Sequence, residues 1–330
     1  MTSRPVVASY ILAAFAIPLA LHFHLLPTVF AGLAVHVLTG KLARRLPANW
    51  SGSAHGIALA AIAVLVIIGL TGVGFGLWSL LHSNGGIAAL LASVAQILEK
   101  LRHALPVSAA DTLPESVEDL RETISDLLRE HGQKISAVGI AGARTLVHVI
   151  LGMVIGGMTA LHKFLEVEKW PPLTAALHAR TRALANAFDK VVFAQVRISA
   201  LNTALTALYL LVILPLFGAH LPLLSVLIPF TFVTGLLPVV GNLVSNSVIV
   251  LISLGISPGV ALASLVFLVV IHKLEYFTNA RIVGGEVKAR AWELLCALLL
   301  MEAVFGIAGL IAAPVVYAWL KAEMKAKNLI

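Results

Sequence analysis

Charge is scarce in this chain of 330 residues: 12% are Asp, Glu, Lys or Arg and 59% are hydrophobic. A soluble domain is about a quarter charged and about half apolar. A water-soluble globule is therefore excluded, because the surplus apolar surface needs a bilayer as its solvent. Cysteine is almost lacking as well. The single Cys296 rules out an internal disulfide framework and a cluster of cysteine metal ligands. The cationic excess is modest, 23 Lys and Arg against 16 Asp and Glu for a net +7, and the bases sit between apolar blocks rather than on one face. Nucleic acid is not indicated as a partner. The histidines at 22, 24, 36, 55, 148, 162, 178 and 220 show no His-Glu-x-x-His or similar ligand spacing, and no nucleophile, base and orienting group can be assembled. No metal, cofactor or enzymatic reaction is implied.

What the chain does have is long apolar runs, at a mean hydropathy of +0.98. A helix crossing the hydrocarbon needs about 17 to 25 mostly apolar residues, since unpaired backbone polar groups are not tolerated there. Runs over 6–21, 25–38, 57–81, 140–161, 191–217, 221–254, 260–277 and 291–320 predict an all-α polytopic membrane protein with about eight membrane segments. Arg4 ahead of an apolar run resembles a leader peptide. Pro18, His22 and His24 lead directly into the next run, however, which reads as a first transmembrane helix. The basic groups Lys41, Arg44, Arg45 and then Lys163, Lys169, Arg180, Arg182, Lys190 mark one cytoplasmic side.

Four parts follow: transmembrane helices in 1–83, an extramembrane amphipathic helical hairpin in 84–138, a transmembrane helix with a basic cytoplasmic connection in 139–190, and a core with broken helices in 191–330. In the hairpin, apolar residues at 87, 91, 94, 98, 101, 105 and again at 113, 117, 120, 124, 127 recur at steps of four and three, a narrow helical seam. Residues 99–134 hold eight acids and five bases; the remaining eighteen bases and eight acids leave the rest of the chain at +10. An acidic hairpin outside and basic loops inside fit one orientation, with both termini cytoplasmic. The seam either packs on itself or meets a second copy, and a homo-oligomer is expected. Glycines 69, 72, 74, 76, 152, 156 and 157 lack the flanking residues of a phosphate loop and predict close helix packing of the small-xxx-small type.

Two C-terminal runs are too long for one crossing. The run over 221–254 holds Leu237-Pro238-Val239-Val240-Gly241-Asn242, and the run over 291–320 holds Phe305-Gly306-Ile307-Ala308-Gly309 followed by Pro314. Thirty residues of straight helix reach about 45 Å, against a hydrocarbon core of roughly 30 Å. Either each run tilts and bends, or each is two shorter helices that enter and return. The second arrangement keeps Arg281, Lys288, Arg290 and the Lys321, Lys325, Lys327 tail on one side, and broken, re-entrant segments are the expectation. Paired interrupted segments expose helix ends and carbonyls that can hold a solute. The alternative is a proline kink that only improves packing.

Ionisable and amide groups inside these apolar runs carry a cost and so call for a role. His272, Glu275 and Asn279 are spaced to share one helix face with Lys273 beside them, Glu293 and Glu302 lie in the last run, and Gln195, Arg197 and Asn202 open the first of the four. One reading is a locking network, with Lys273 pairing Glu275, Glu293 or Glu302 and Arg197 pairing another carboxylate. The other is a proton or ion relay.

The residues from Phe193-Ala194-Gln195 through Leu237-Pro238-Val239-Val240-Gly241-Asn242, His272-Lys273-Leu274-Glu275-Tyr276, Asn279-Ala280-Arg281-Ile282-Val283-Gly284-Gly285 and the Phe305 to Gly309 turn with Pro314 resemble the autoinducer-2 exporter family of bacterial permeases. The resemblance covers about 189–325, and is one of topology alone before that. Leu237 and Val239 stand where the family's turn carries isoleucine and tyrosine, and Ala280 where many members carry proline. The resemblance implies an exporter of a small polar solute working by alternating access with proton coupling. Other members are linked to exchange of sodium or lithium for protons, so a monovalent cation antiporter is the alternative within transport. On this reading Pro238, Gly241, Asn242, Gly306 and Gly309 shape the pathway, Glu275 and Glu302 carry protons or cations, and Asn242, Asn246 and Asn279 touch the solute. Gln195, Arg197, His272, Lys273, Arg281 and Glu293 are structural or coupling groups. A membrane scaffold that recruits a partner through the acidic hairpin is the reading from outside transport.

Overall fold

The computed structural model describes residues 4–47, 50, 52–82, 99, 122, 126, 132–162, 170–237, 240–282 and 290–329, all helix, turn or irregular with no strand among them. The acidic hairpin expected in 84–138 thus lies almost wholly outside the described residues, as do Pro238, Val239 and 283–289. The helices are α1 (Arg4–His22), α2 (Leu26–Ala43), α3 (Ala54–His82), α4 (Gly132–Leu161), α5 (Pro172–Leu208), α6 (Leu224–Gly235), α7 (Val240–Leu254), α8 (Pro258–Ile282) and α9 (Ala291–Ala326). Among the described residues six helical stretches are long and apolar enough to cross a membrane. Their outer surfaces are bare of polar cover: Phe15, Leu65, Phe75 and Ile307 are each more than 70% exposed, a surface that only lipid accommodates.

The chain forms two compact units, one of Met1–Thr71, Gly139–Phe193 and Glu286–Ile330, the other of Gly72–Val138 and Ala194–Gly285. α5 contributes to both. It starts at Pro172 and continues past Leu208 through a π-turn (Tyr209–Ile213) to Leu216, so the basic connection ahead of residue 190 is helical from Pro172 onward rather than a loop. Proline suits that first position because its missing N–H is one the helix start leaves unused.

In the first unit, α2 and α4 run in the same direction at very close range. A β-carbon built on Gly152 would land on the carbonyl of Thr28, and one on Gly156 on the carbonyl of Gly32. Two small residues spaced by four on each helix let the backbones touch, as the glycine pattern predicts for this stretch. Gly69, Gly72 and Gly74 behave otherwise: among the described residues nothing lies within 4 Å of a β-carbon placed there.

α9 spans 36 residues but is not straight. Gly306 has φ 60° and ψ −145°, a conformation open essentially to glycine alone. Tyr317 Oη and Lys321 Nζ both reach the Glu293 carboxylate, although residues 24 apart on a straight helix are separated by about 36 Å. A β-carbon on Gly309 would fall on the carbonyl of Met301. The chain therefore doubles back at Gly306, with an arm before it and an arm after it packed side by side. The second unit holds a matching element. α6 has 12 residues and α7 has 15, each too short for a crossing of about 30 Å, and a β-carbon on Gly241 would fall on the Thr234 carbonyl. Both long runs are broken where the proline and glycine motifs stand.

Replacing Gly152 by leucine should lower stability by about 1–3 kcal/mol, the ordinary result of overpacking a tight contact. Gly72→Leu should be near neutral. Thermal unfolding in detergent, with both variants beside the parent, measures the difference.

Candidate functional site

Polar groups on the second half of α5 recur at Gln195, Ser199, Asn202, Thr206 and Tyr209, steps of four, three, four and three that place them on one helix face. Ser199, Asn202, Thr206 and Tyr209 are buried within the second unit. Such a stripe inside an apolar bundle is stable only where partners are supplied, and the α6–α7 hairpin supplies them.

α6 stops because Leu237 precedes a proline, a position that disfavours helix. The turn uses two of the last α6 carbonyls: Leu236 N–H donates to Val233 and Leu237 N–H to Thr234. The Phe232 and Gly235 carbonyls are capped instead from α5. Ser199 Oγ donates to the Phe232 oxygen at 2.7 Å and Gln195 Nε2 to the Gly235 oxygen at 2.7 Å. Asn202 Nδ2 donates to Asn242 Oδ1 at 3.1 Å, which ties the first turn of α7 to the same face. Gly235 is required here, since a β-carbon would sit 2.6 Å from Ser199 Oγ. Further along, Tyr209 Oη and Ser264 Oγ are 3.0 Å apart, Ser264 and Ser253 Oγ 2.8 Å apart, and Tyr209 stacks on Phe267. Thr206 Oγ1 is buried with no hydrogen-bond partner among the described residues. The site is a chain of amides and hydroxyls, able to donate and accept, that meets the exposed end of a short helix.

Of the residues singled out in the sequence, Gln195, Gly241 and Asn242 come together here. Asn246 lies one turn beyond on α7, half-buried. Arg197 and Lys273 are exposed. α8 continues to Ile282, so His272, Glu275 and Asn279 fall on one helix as expected and Arg281 lies on it too rather than in the connection that follows, while the side chains of all four lie outside the described set. Gly306 and Gly309 build the α9 hairpin of the first unit. Glu302, one turn before Gly306, is exposed. Glu293 is held within the first unit: Lys321 Nζ lies 2.5 Å from its carboxylate and Tyr317 donates to the same oxygen. Two more cations are paired in that unit, Arg180 with Glu323 and Lys41 with Asp189. Among the described residues no three His, Cys, Asp or Glu side chains gather into a metal site. The sequence reading passed over Ser199, Thr206, Tyr209, Ser253 and Ser264; the regular recurrence of hydroxyls along α5 was the available signal for the first three.

Membrane-length apolar helices, two glycine-closed hairpins and an uncharged polar seam define a polytopic membrane protein of the transporter class. The family model described as AI-2E family transporter matches residues 7–328, nearly the whole chain, and the protein belongs to that family. No curated protein and no solved structure matches it.

Gln195→Leu removes the donor to the Gly235 carbonyl and should cost about 1–3 kcal/mol, the usual penalty for stranding a buried polar group. Gln195→Glu, which has no amide donor when ionised, should not rescue it. Thermal unfolding of both proteins checks this.

Proposed function

We propose that the protein exports a small polar solute from a bacterial cell across the inner membrane by alternating access, with both termini cytoplasmic and the downhill entry of protons as the drive. The observation that carries the reading is the bonding of the Phe232 and Gly235 carbonyls by Ser199 and Gln195. These hydrogen bonds join helices rather than stay within one, so moving the α6–α7 hairpin off α5 frees two carbonyls, one amide and one hydroxyl together. A solute carrying hydroxyl or carbonyl groups can take over those bonds at little net cost, because one set of hydrogen bonds replaces another. The site then opens only when a solute or water replaces the lost partners, which is the exchange that alternating access requires. Asn202, Asn242 and Asn246 extend the same surface, and re-entrant placement of both hairpins puts it at membrane depth.

The seam residues Gln195, Ser199, Asn202, Thr206 and Tyr209 carry no charge, which favours a neutral solute over a cation as cargo. Glu302 is the assigned proton carrier, since it is a carboxylate in an apolar helix with no ion pair among the described residues, while Glu293 is held by Lys321. Glu275 is assigned a second carrier role from its place on α8.

The test is a screen of polar solutes in reconstituted vesicles under an imposed pH gradient, with a sodium gradient as comparison. Flux should follow the pH gradient, and Asn242→Leu should reduce it to the level of protein-free vesicles while Gln substituted at Glu302 removes its dependence on pH. A response to the sodium gradient alone would replace this reading with cation exchange. Unchanged rate and pH dependence in Glu302→Gln would end the carrier role.

A further inference from the structure

We infer that the α6–α7 hairpin opens by swinging its tip off α5 about a fixed base, with Tyr209 as the positioning residue that holds the base and Pro229 as the bend in α6. The inference rests on the reading of the α5 seam as the solute site and adds how that site opens. Every residue it uses belongs to the second unit.

The two ends of the hairpin are packed differently. At the base, Leu227 of α6, Ile249 of α7 and Leu268 of α8 form a buried apolar cluster with Tyr209 and Leu210 of the π-turn that continues α5. Leu224, Val248 and Ile252 pack against it, and no described member of the cluster lies between Leu227 and Val248. Within that interval the buried positions are small or polar: Thr231, Gly235, Gly241 and Ser245. Hydroxyls tie the base as well, since Tyr209 Oη lies 3.0 Å from Ser264 Oγ and Ser264 2.8 Å from Ser253 Oγ near the end of α7, all three residues being buried. Contacts between large packed side chains are lost outright when helices part, whereas the neutral hydrogen bonds at the tip can be remade with a solute or water. The tip is the end that lets go.

The tip moves as one piece, because the approach of Gly241 to the Thr234 carbonyl leaves no room between the ends of α6 and α7. Pro229 stands inside α6 two residues past Leu227 and has no N–H to give to the Ser225 carbonyl, which weakens the helix at that point. The Phe232 and Gly235 carbonyls that Ser199 and Gln195 hold both lie beyond it. Gly235 is eight residues past Leu227 and Gly241 eight before Ile249, so both arms of the lever are about 12 Å long. A swing of about 15° over that length carries the tip about 3 Å, and a hydrogen bond stretched that far no longer exists.

Hydrogen exchange followed by mass spectrometry on the full chain in lipid nanodiscs, with no solute added, tests the hinge. In the parent, amides of 230–237 should exchange faster than those of 248–254. Gln195→Leu should raise exchange at 230–237 about fivefold, the factor for losing one hydrogen bond, and leave 248–254 unchanged. Tyr209→Phe, and Ser253→Ala as a second way of cutting the same link, should raise 248–254 by about the same factor. Pro229→Ala, which returns the missing N–H, should slow exchange at 230–237. Equal exchange at tip and base in the parent, a common rise in both segments in Gln195→Leu, an unmoved base in both link variants, or an unslowed tip in Pro229→Ala would overturn the proposal. Because no solute enters the experiment, the hinge can fail while flux driven by a pH gradient stands, and flux can fail while the hinge stands.

Discussion

Backbone carbonyls in an apolar solvent decide most of this structure. A helix that reverses inside lipid must bring its second arm close enough to cover the first, and any side chain at the contact stands in the way. The fold meets that condition with glycine: Gly309 lies over the Met301 carbonyl and Gly241 over the Thr234 carbonyl. Gly306 adds the positive φ that turns the last helix. With those positions occupied by glycine, two runs too long for a single crossing become hairpins.

The two hairpins are secured by different chemistry. In α9 the open end is closed by charge, Glu293 against Lys321 with Tyr317 between. Loss of one partner would leave a poorly solvated charge, the costly outcome for such a pair. The α6–α7 hairpin is joined to α5 by neutral donors on helix-end carbonyls. Neutral hydrogen bonds contribute about 0.5–1.5 kcal/mol each and can be exchanged for others. The α9 hairpin is thus held by an ion pair and the α6–α7 hairpin by exchangeable neutral hydrogen bonds.

Much of the architecture was legible in the sequence because membrane helices announce themselves by length and the breaks by proline and glycine. The interruption at 237–242 and the turn at Gly306 stand where the motifs put them, and the family match runs further toward the N-terminus than the resemblance seen in the C-terminal half. Pairing was much less legible. The Lys321–Glu293 pair was not foreseen, since sequence order carries no trace of a reversal that brings residue 321 beside residue 293. The hydroxyl stripe was missed for another reason: serine and threonine occur singly in many apolar helices, and only their four-and-three spacing on α5 distinguishes a seam from scatter. On α3 the glycines suggested a tight contact that no described residue makes, because small residues permit close approach without requiring it.

Spin labels at positions 292 and 320, on a background with Cys296 replaced by serine, measure the reversal directly. Trp292 and Leu320 are both exposed, so labels can be placed without disturbing the core. Electron–electron dipolar spectroscopy in lipid nanodiscs should give a separation of about 10–20 Å, set by the spacing of packed helices and the label arms. A distance near 42 Å, the length of 28 residues of uninterrupted helix, would contradict the hairpin and the account built on it.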